Sequence, residues 1–257
     1  MPRFYILFFA VIFSFSAFTQ AEEVTHKQVV RFATEANYYP FEYLDAQGKM
    51  QGFDIEIAKA ICEQMDFDCS FQNQRFDSLL LSLKFGRFDA VIAALDITSE
   101  RLQDVDFSNS YYKVDPVFLR LADTEDIFSL NGKFIAVQAA SSNQDYLTKF
   151  KPHDSFVIPY PTLINAFNAL KDAQIDAIFG DRAVILTFLN KVKNNQDYIL
   201  SEMSGPLLAS FSSGYGIAIK KGNKTLQQQL NTGLSQIKEN GIYLKIFKHY
   251  FKGENQR

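Results

Sequence analysis

Apolar residues recur along the chain with two periods, and the switches between them lay out the elements. "VVRFAT" (Val29 to Thr34) reads as a strand, and "YYPFEYLDAQGKMQGF" as an extended segment that turns at Gly48. Asp54 then stands where it can cap a helix over "DIEIAKAICEQM". There Ile55, Ala58, Cys62 and Met65 recur at helical spacing while Glu56, Lys59 and Glu63 face water. Asp66 to Asp68 break that helix, and "CSFQNQ" resumes as a strand. The next unit, "FDSLLLSLKFGRFDAVIAAL", sets an Asp77 cap, a leucine-rich helix to Lys84, Gly86 as a stop and a buried strand from Phe88 to Leu95.

A similar unit returns later as "AFNALKDAQIDAIFGD", Ala166 to Asp181. Aligning Asp89-Ala90-Val91-Ile92 with Asp176-Ala177-Ile178-Phe179 places Ala94 opposite Asp181. Helix followed by strand, repeated, predicts parallel α/β sheets; the competing account is chance similarity of two amphipathic units. Between the units lie the strand-like "KVDPVFLRL", a strand from Lys133 to Gln138 and a short helix from Asn143 to Phe150. The tail carries a strand in "SGYGIAIKKGN" and a helix whose apolar stripe is Leu226, Leu230, Leu234 and Ile237. The expected organisation is a first lobe over 22–115, a second over 116–209 and a return to the first over 210–257. The chain would then cross between lobes near 110–116 and 205–213.

Composition narrows the classes. With 257 residues, 47% hydrophobic and 15% aromatic, the chain can bury one large core or two modest ones, which argues against disorder. Arg3 precedes an apolar and small-residue run from Phe4 to Phe18, then "TQA" and Glu22-Glu23. This is the pattern of a signal peptide over residues 1–21 with cleavage near Ala21, and it is shorter than the roughly 20 apolar residues of a membrane span. A soluble periplasmic protein is expected. A formal net charge of −3 makes nucleic acid and anionic lipid poor partners. Cys62 and Cys69 are the two cysteines, and in an exported chain a close pair is more simply a local disulfide than a metal site. The three histidines are scattered, so no metal site or cofactor is expected.

In open α/β sheets, ligands sit outside the carboxyl ends of the strands. Three such ends carry polar residues: "AALDITSER", "QAASSNQ" and "FGDR". Together with "YYPFEY", "GFDIEIAKAIC" and the closing "GIYLKIFKHYF", they resemble the periplasmic polar amino-acid-binding proteins of ABC importers, solute-binding protein family 3, and most of all the arginine-binding members. The resemblance implies a type II, two-lobed periplasmic-binding-protein fold with two hinge strands and a ligand cleft between the lobes.

The same resemblance implies the site. Arg101 corresponds to the arginine that clamps the ligand's α-carboxylate, with Ser141, Ser142 and Asn143 at a helix amino terminus facing the same group. The alternative for Arg101 is a surface ion pair with Glu100 or Asp104. Asp181 corresponds to the carboxylate for the α-ammonium, and could instead cap a helix beginning at Ala183. Tyr38 and Phe76 match aromatics flanking the ligand side chain. Glu35 and Asp96 are both candidates for reading a distal cation. Ala93 and Ala94 replace serines, which leaves backbone carbonyls to bind there, and Ala139 and Ala140 stand where many relatives have a glycine.

The implied function is non-enzymatic: capture of L-arginine or another cationic amino acid by a monomeric receptor that presents its closed form to the importer's permease subunits. The rivals are a cyclohexadienyl or arogenate dehydratase-like enzyme on the same scaffold and a periplasmic amino-acid sensor. Two carboxylates suit a cationic guest better than they suit prephenate. No nucleophile elbow, zinc motif or phosphate loop supports other chemistry.

Overall fold

The computed structural model describes Met1 and residues 26–124, 131–150, 154–202, 211 and 213–251. The expected leader and most of the second crossing lie outside the described residues. β1 (Val29–Thr34) leads into a small antiparallel sheet of β2 (Asn37–Tyr38), β3 (Glu42–Leu44) and β4 (Met50–Gln51). α1 (Phe53–Gln64), β5 (Asp68–Asn73), α2 (Leu79–Lys84), β6 (Ala90–Val91), α3 (Arg101–Asp104) and β7 (Val105–Phe107) follow. The second lobe is built from β8 (Pro116–Leu121), β9 (Phe134–Gln138), α4 (Ser142–Phe150), β10 (Phe156–Tyr160), α5 (Leu163–Lys171), β11 (Ala177–Asp181), α6 (Arg182–Leu189) and β12 (Tyr198–Glu202). The chain then re-enters the first sheet as β13 (Ala218–Lys220) and ends in α7 (Lys224–Glu239) and α8 (Ile242–Tyr250).

Two five-stranded sheets result, ordered β5-β1-β6-β13-β7 and β10-β9-β11-β8-β12. They correspond strand for strand. β6 lies parallel to β1 with Ala90 opposite Phe32, and β11 lies parallel to β9 with Ala177 opposite Ile135. The aspartates that open the two repeat units do the same work: Asp89 accepts the Arg31 N–H at 2.9 Å, and Asp176 accepts the Phe134 N–H at 2.8 Å. The repeat in the sequence is therefore structural. The sheets are mixed rather than purely parallel, because β13 and β8 run antiparallel to their neighbours.

Three expectations about local structure change. Asp54 is not a helix cap: α1 starts one residue earlier, behind Gly52, whose φ of 127° and position beside Phe41 leave no room for a side chain. A Cβ at Gly52 would stand 2.1 Å from the Phe41 carbonyl oxygen. Asp54 is instead fully buried and turned inward. Asp77 does not cap α2, which follows a 3-10 turn over Phe76–Ser78; its carboxylate pairs with Arg75. The apolar run from Phe88 to Leu95 is buried, but its ladder pairing is confined to Ala90–Val91, and Ala94 bends away at φ 45°.

Packing explains the rest. α1 buries Ile57 and Ile61 besides Ile55, Ala58 and Cys62, because the C-terminal helices cover it from a second side; Glu56 is half-buried there and accepts the Tyr250 hydroxyl at 2.5 Å. α7 turns Leu226, Leu230, Leu234 and Ile237 inward, each contributing about 1.5–3 kcal/mol. Gly233 sets how closely α7 approaches α1, since a Cβ there would lie 2.8 Å from the Ile61 side chain. Cys62 and Cys69 form the expected disulfide, stapling the end of α1 to β5.

Candidate functional site

The carboxyl ends of β1, β6, β9 and β11 face one another across the two lobes, and ten of the eleven predicted site residues have a contact or an orphaned polar atom there. Glu35 follows β1, Tyr38 lies in β2 and Phe76 opens the 3-10 turn after β5. Ala93, Ala94 and Asp96 follow β6, and Arg101 opens α3. From the second lobe come Ser141, Ser142 and Asn143 at the start of α4, and Asp181 at the end of β11. Ala93 is buried in an apolar cluster with Leu79, Leu83 and Val91.

Asp181 is the focus of one end. It is 4% exposed and holds the N-cap position of α6, which begins at Arg182, but its side chain makes no capping hydrogen bond. Its Oδ2 accepts the Tyr38 hydroxyl at 2.5 Å and also the Tyr215 hydroxyl, both from the first lobe. Burial pushes the Asp181 carboxyl up against the lowering effect of those two donors, and raises both phenols so that they keep their protons. Asp96 lies in the same field. Burial raises its carboxyl first, repulsion from Asp181 second, while Arg101 opposes the rise. The Ser142 hydroxyl donates to Asp96 Oδ2 across the lobes. Oδ1 of Asp96 and Oδ1 of Asp181 are both buried without a partner, as is Oδ1 of Asn143. Buried acceptors of this kind call for a donor.

Arg101 makes no ion pair with Glu100 or Asp104, which pair with Lys149 and Lys84 instead. Its Nη1 donates to the Asp96 carbonyl at 3.0 Å and its Nη2 reaches the Ala140 carbonyl of the second lobe at 3.4 Å. The guanidinium carbon stands 5.9 Å from the centre of the Phe76 ring. Ala140, at φ 60°, shapes the loop ahead of α4, and Ser141 plays a capping part there: its Oγ accepts the Gln144 N–H at 3.2 Å.

Glu35 occupies the other end. It is 4% exposed, and its Oε2 accepts the Gln138 amide across the lobes at 2.6 Å. Burial pushes its carboxyl up to about 7, with Gln138 pulling the other way and Asp77 adding repulsion. A deeper pair braces the floor. Asp54 Oδ2 accepts the N–H of Ala94 at 2.7 Å and the Tyr111 hydroxyl at 2.7 Å. Burial pushes Asp54 up to about 6 and raises the neighbouring Glu42, 1% exposed, well above the usual range.

Sequence reasoning missed Tyr215, Gln138 and the Glu42–Asp54 pair. Tyr215 was signalled weakly, as an aromatic between Gly214 and Gly216 at the return to the first lobe. Its backbone bridges to Tyr112 and Asp96, which ties that return to the first crossing.

Two lobes of matching topology, crossed by the chain near residue 112 and joined face to face through buried polar groups, define a type II periplasmic binding protein. The model of the bacterial extracellular solute-binding proteins, family 3, matches residues 30–253, and the chain belongs to that family. It is 38% identical over 248 residues to a putative ABC transporter arginine-binding protein 2 of Escherichia coli (strain K12), covering 96% of this chain and 98% of the relative. Among solved structures, a Salmonella typhimurium periplasmic binding protein described for high arginine specificity superposes with a TM-score of 0.80 at 37% identity, covering 88% of this chain and all of that one. An ancestral arginine-binding protein bound to arginine gives a TM-score of 0.80 at 32% identity, covering 88% of this chain and 99% of that one. These relatives are binding proteins, not enzymes.

Proposed function

We propose that this protein is a periplasmic receptor that closes on L-arginine, or a related cationic L-amino acid, and delivers it as a monomer to the permease subunits of an ABC importer. The observation that carries the reading is the sorting of charge along the facing surfaces. Asp96 and Asp181, each with one unpartnered oxygen, converge at one end, Arg101 lies beside them, and Glu35 stands apart at the other. An α-ammonium satisfies the two aspartates, and the Arg101 fork takes the α-carboxylate, helped by the amino terminus of α4. The distal cation then falls to Glu35, with the Phe76 face alongside. Asp96 is thereby assigned to the α-ammonium rather than to the side chain. The names of the relatives support arginine as the ligand and the periplasm as the location.

Each charge-assisted hydrogen bond of this set contributes about 1.5–3 kcal/mol, and micromolar affinity needs about 8 kcal/mol in all. Isothermal titration of the ligand-free protein against the common amino acids and prephenate tests the assignment. Tight binding of L-arginine without turnover is the expected result. Binding to no cationic amino acid, or conversion of prephenate, refutes it.

A further inference from the structure

An amino acid held in this way has its two α-groups shut in and its side-chain end open. Glu35, Asp96 and Asp181 are all nearly fully buried, at 4%, 6% and 4% exposed, but of the three only Glu35 lines the cavity of about 530 Å³ between the lobes, and Arg101 does not line it. The cavity is walled by Glu35, Phe76 and Asp77 on the first lobe and by Ala139, Pro161 and Thr162 on the second. Glu35 thus serves two neighbours: its Oε2 accepts the Gln138 amide, and the residue also lines this cavity. The lining includes the carboxylates of Glu35 and Asp77 against the single guanidinium of Arg75, which is itself tied to Asp77. The cavity adjoins the residue read as the partner of the distal cation and offers room for more than a bare guanidinium.

We propose that this cavity is a subsite for a substituent on the distal nitrogen, so that the protein takes ω-N-substituted arginines and lysines as well as the parent amino acids. The proposal rests on the reading of Glu35 as the carboxylate for the distal cation. An alkylated guanidinium keeps its charge and an N–H for Glu35 while its added group projects past Phe76 into the cavity. Groups on the α-nitrogen or the α-carboxyl meet the buried end instead, which excludes arginyl peptides and Nα-acyl arginines.

Titration calorimetry with L-arginine, Nω-propyl-L-arginine and Nα-acetyl-L-arginine tests this. The propyl compound is expected to bind within about tenfold of L-arginine, and the acetyl compound at least about 100-fold more weakly. Gln74 also lines the cavity on the first lobe, and Gln74→Trp, which narrows it from that wall, is expected to hold L-arginine within about threefold and to weaken the propyl compound at least about tenfold. Loss of the propyl compound by more than about 100-fold, with L-arginine still bound tightly, overturns the subsite alone. Equal weakening of both ligands by Gln74→Trp also overturns it. Failure of L-arginine to bind removes the functional reading and the subsite with it.

Discussion

The charge on Glu35 is the most exacting test of how the side-chain end works. With the lobes together, burial holds its carboxyl at about 7, against an ordinary value of 4.5, despite the Gln138 amide at 2.6 Å. Below pH 7 the group carries a proton that a cationic ligand must displace; above it the carboxylate is ready. Affinity for L-arginine should therefore fall as pH drops below 7 and level off above it. With the lobes together about 3% of the group is ionised at pH 5.5, so binding weakens by up to about 30-fold relative to the plateau, or about 2 kcal/mol at 1.36 kcal/mol per unit. Calorimetry from pH 5.5 to 8.5 measures this, with L-citrulline as the neutral isostere. Citrulline shares any titration of Asp96 and Asp181 at the α-ammonium end, so the difference between the two ligands isolates Glu35. Glu35→Gln should flatten that difference and weaken arginine at high pH by about 10- to 100-fold, the loss of one charge-assisted bond. An equal pH dependence for both ligands, or one that survives Glu35→Gln, refutes the assignment.

Other outcomes follow from the same contacts. Arg101→Ala should weaken every amino acid, neutral ones included, by at least about 100-fold, since a bidentate carboxylate clamp supplies about 3 kcal/mol or more; retained binding of neutral ligands in titration would contradict it. Asp96→Asn should weaken L-arginine and L-citrulline by similar factors, and a loss confined to arginine would move Asp96 to the side-chain end. Glu42 and Asp54 have raised carboxyl values, so their contribution favours folding most below about pH 4.5 and is lost as pH rises through their folded values. Glu42→Gln should accordingly flatten the fall in stability between pH 5 and 8, read by urea denaturation of ligand-free protein; an unchanged slope speaks against the buried pair. Breaking the Cys62–Cys69 bridge with Cys69→Ser should cost about 2–3 kcal/mol for so short a loop, seen as a lower urea midpoint, and no shift would show that β5 needs no staple.

Much of this arrangement was legible beforehand where a single stretch of chain decides it. The α7 stripe, the short helix after Gln138 and the Cys62–Cys69 bridge are local: spacing, capping and loop length set them. So is the correspondence of the two helix–strand units, because each opens with an aspartate that must tie down the N–H of the neighbouring strand. Asp54 shows where local rules fail. By sequence it is an ordinary cap ahead of an amphipathic run, yet the helix starts behind Gly52 because Phe41 presses on that glycine from another element. Asp77 fails as a cap for a similar reason, being drawn off by Arg75 in the turn.

The residue types at the site, a guanidinium, three carboxylates and a helix amino terminus on strand ends, belong to the sequence. Which groups share an end does not. Asp96 and Glu35 looked equivalent as readers of a distal cation, and only the meeting of the lobes separates them, placing Asp96 in the field of Asp181 and Glu35 beside Gln138 and an open cavity. Tyr215 joins Asp181 from 34 residues away through a contact that no periodicity encodes. Hydrophobic pattern is a property of neighbours along the chain and survives in one dimension. Electrostatic coupling and desolvation depend on distance and burial in three, so the environments of these carboxylates are decided only where the two lobes meet.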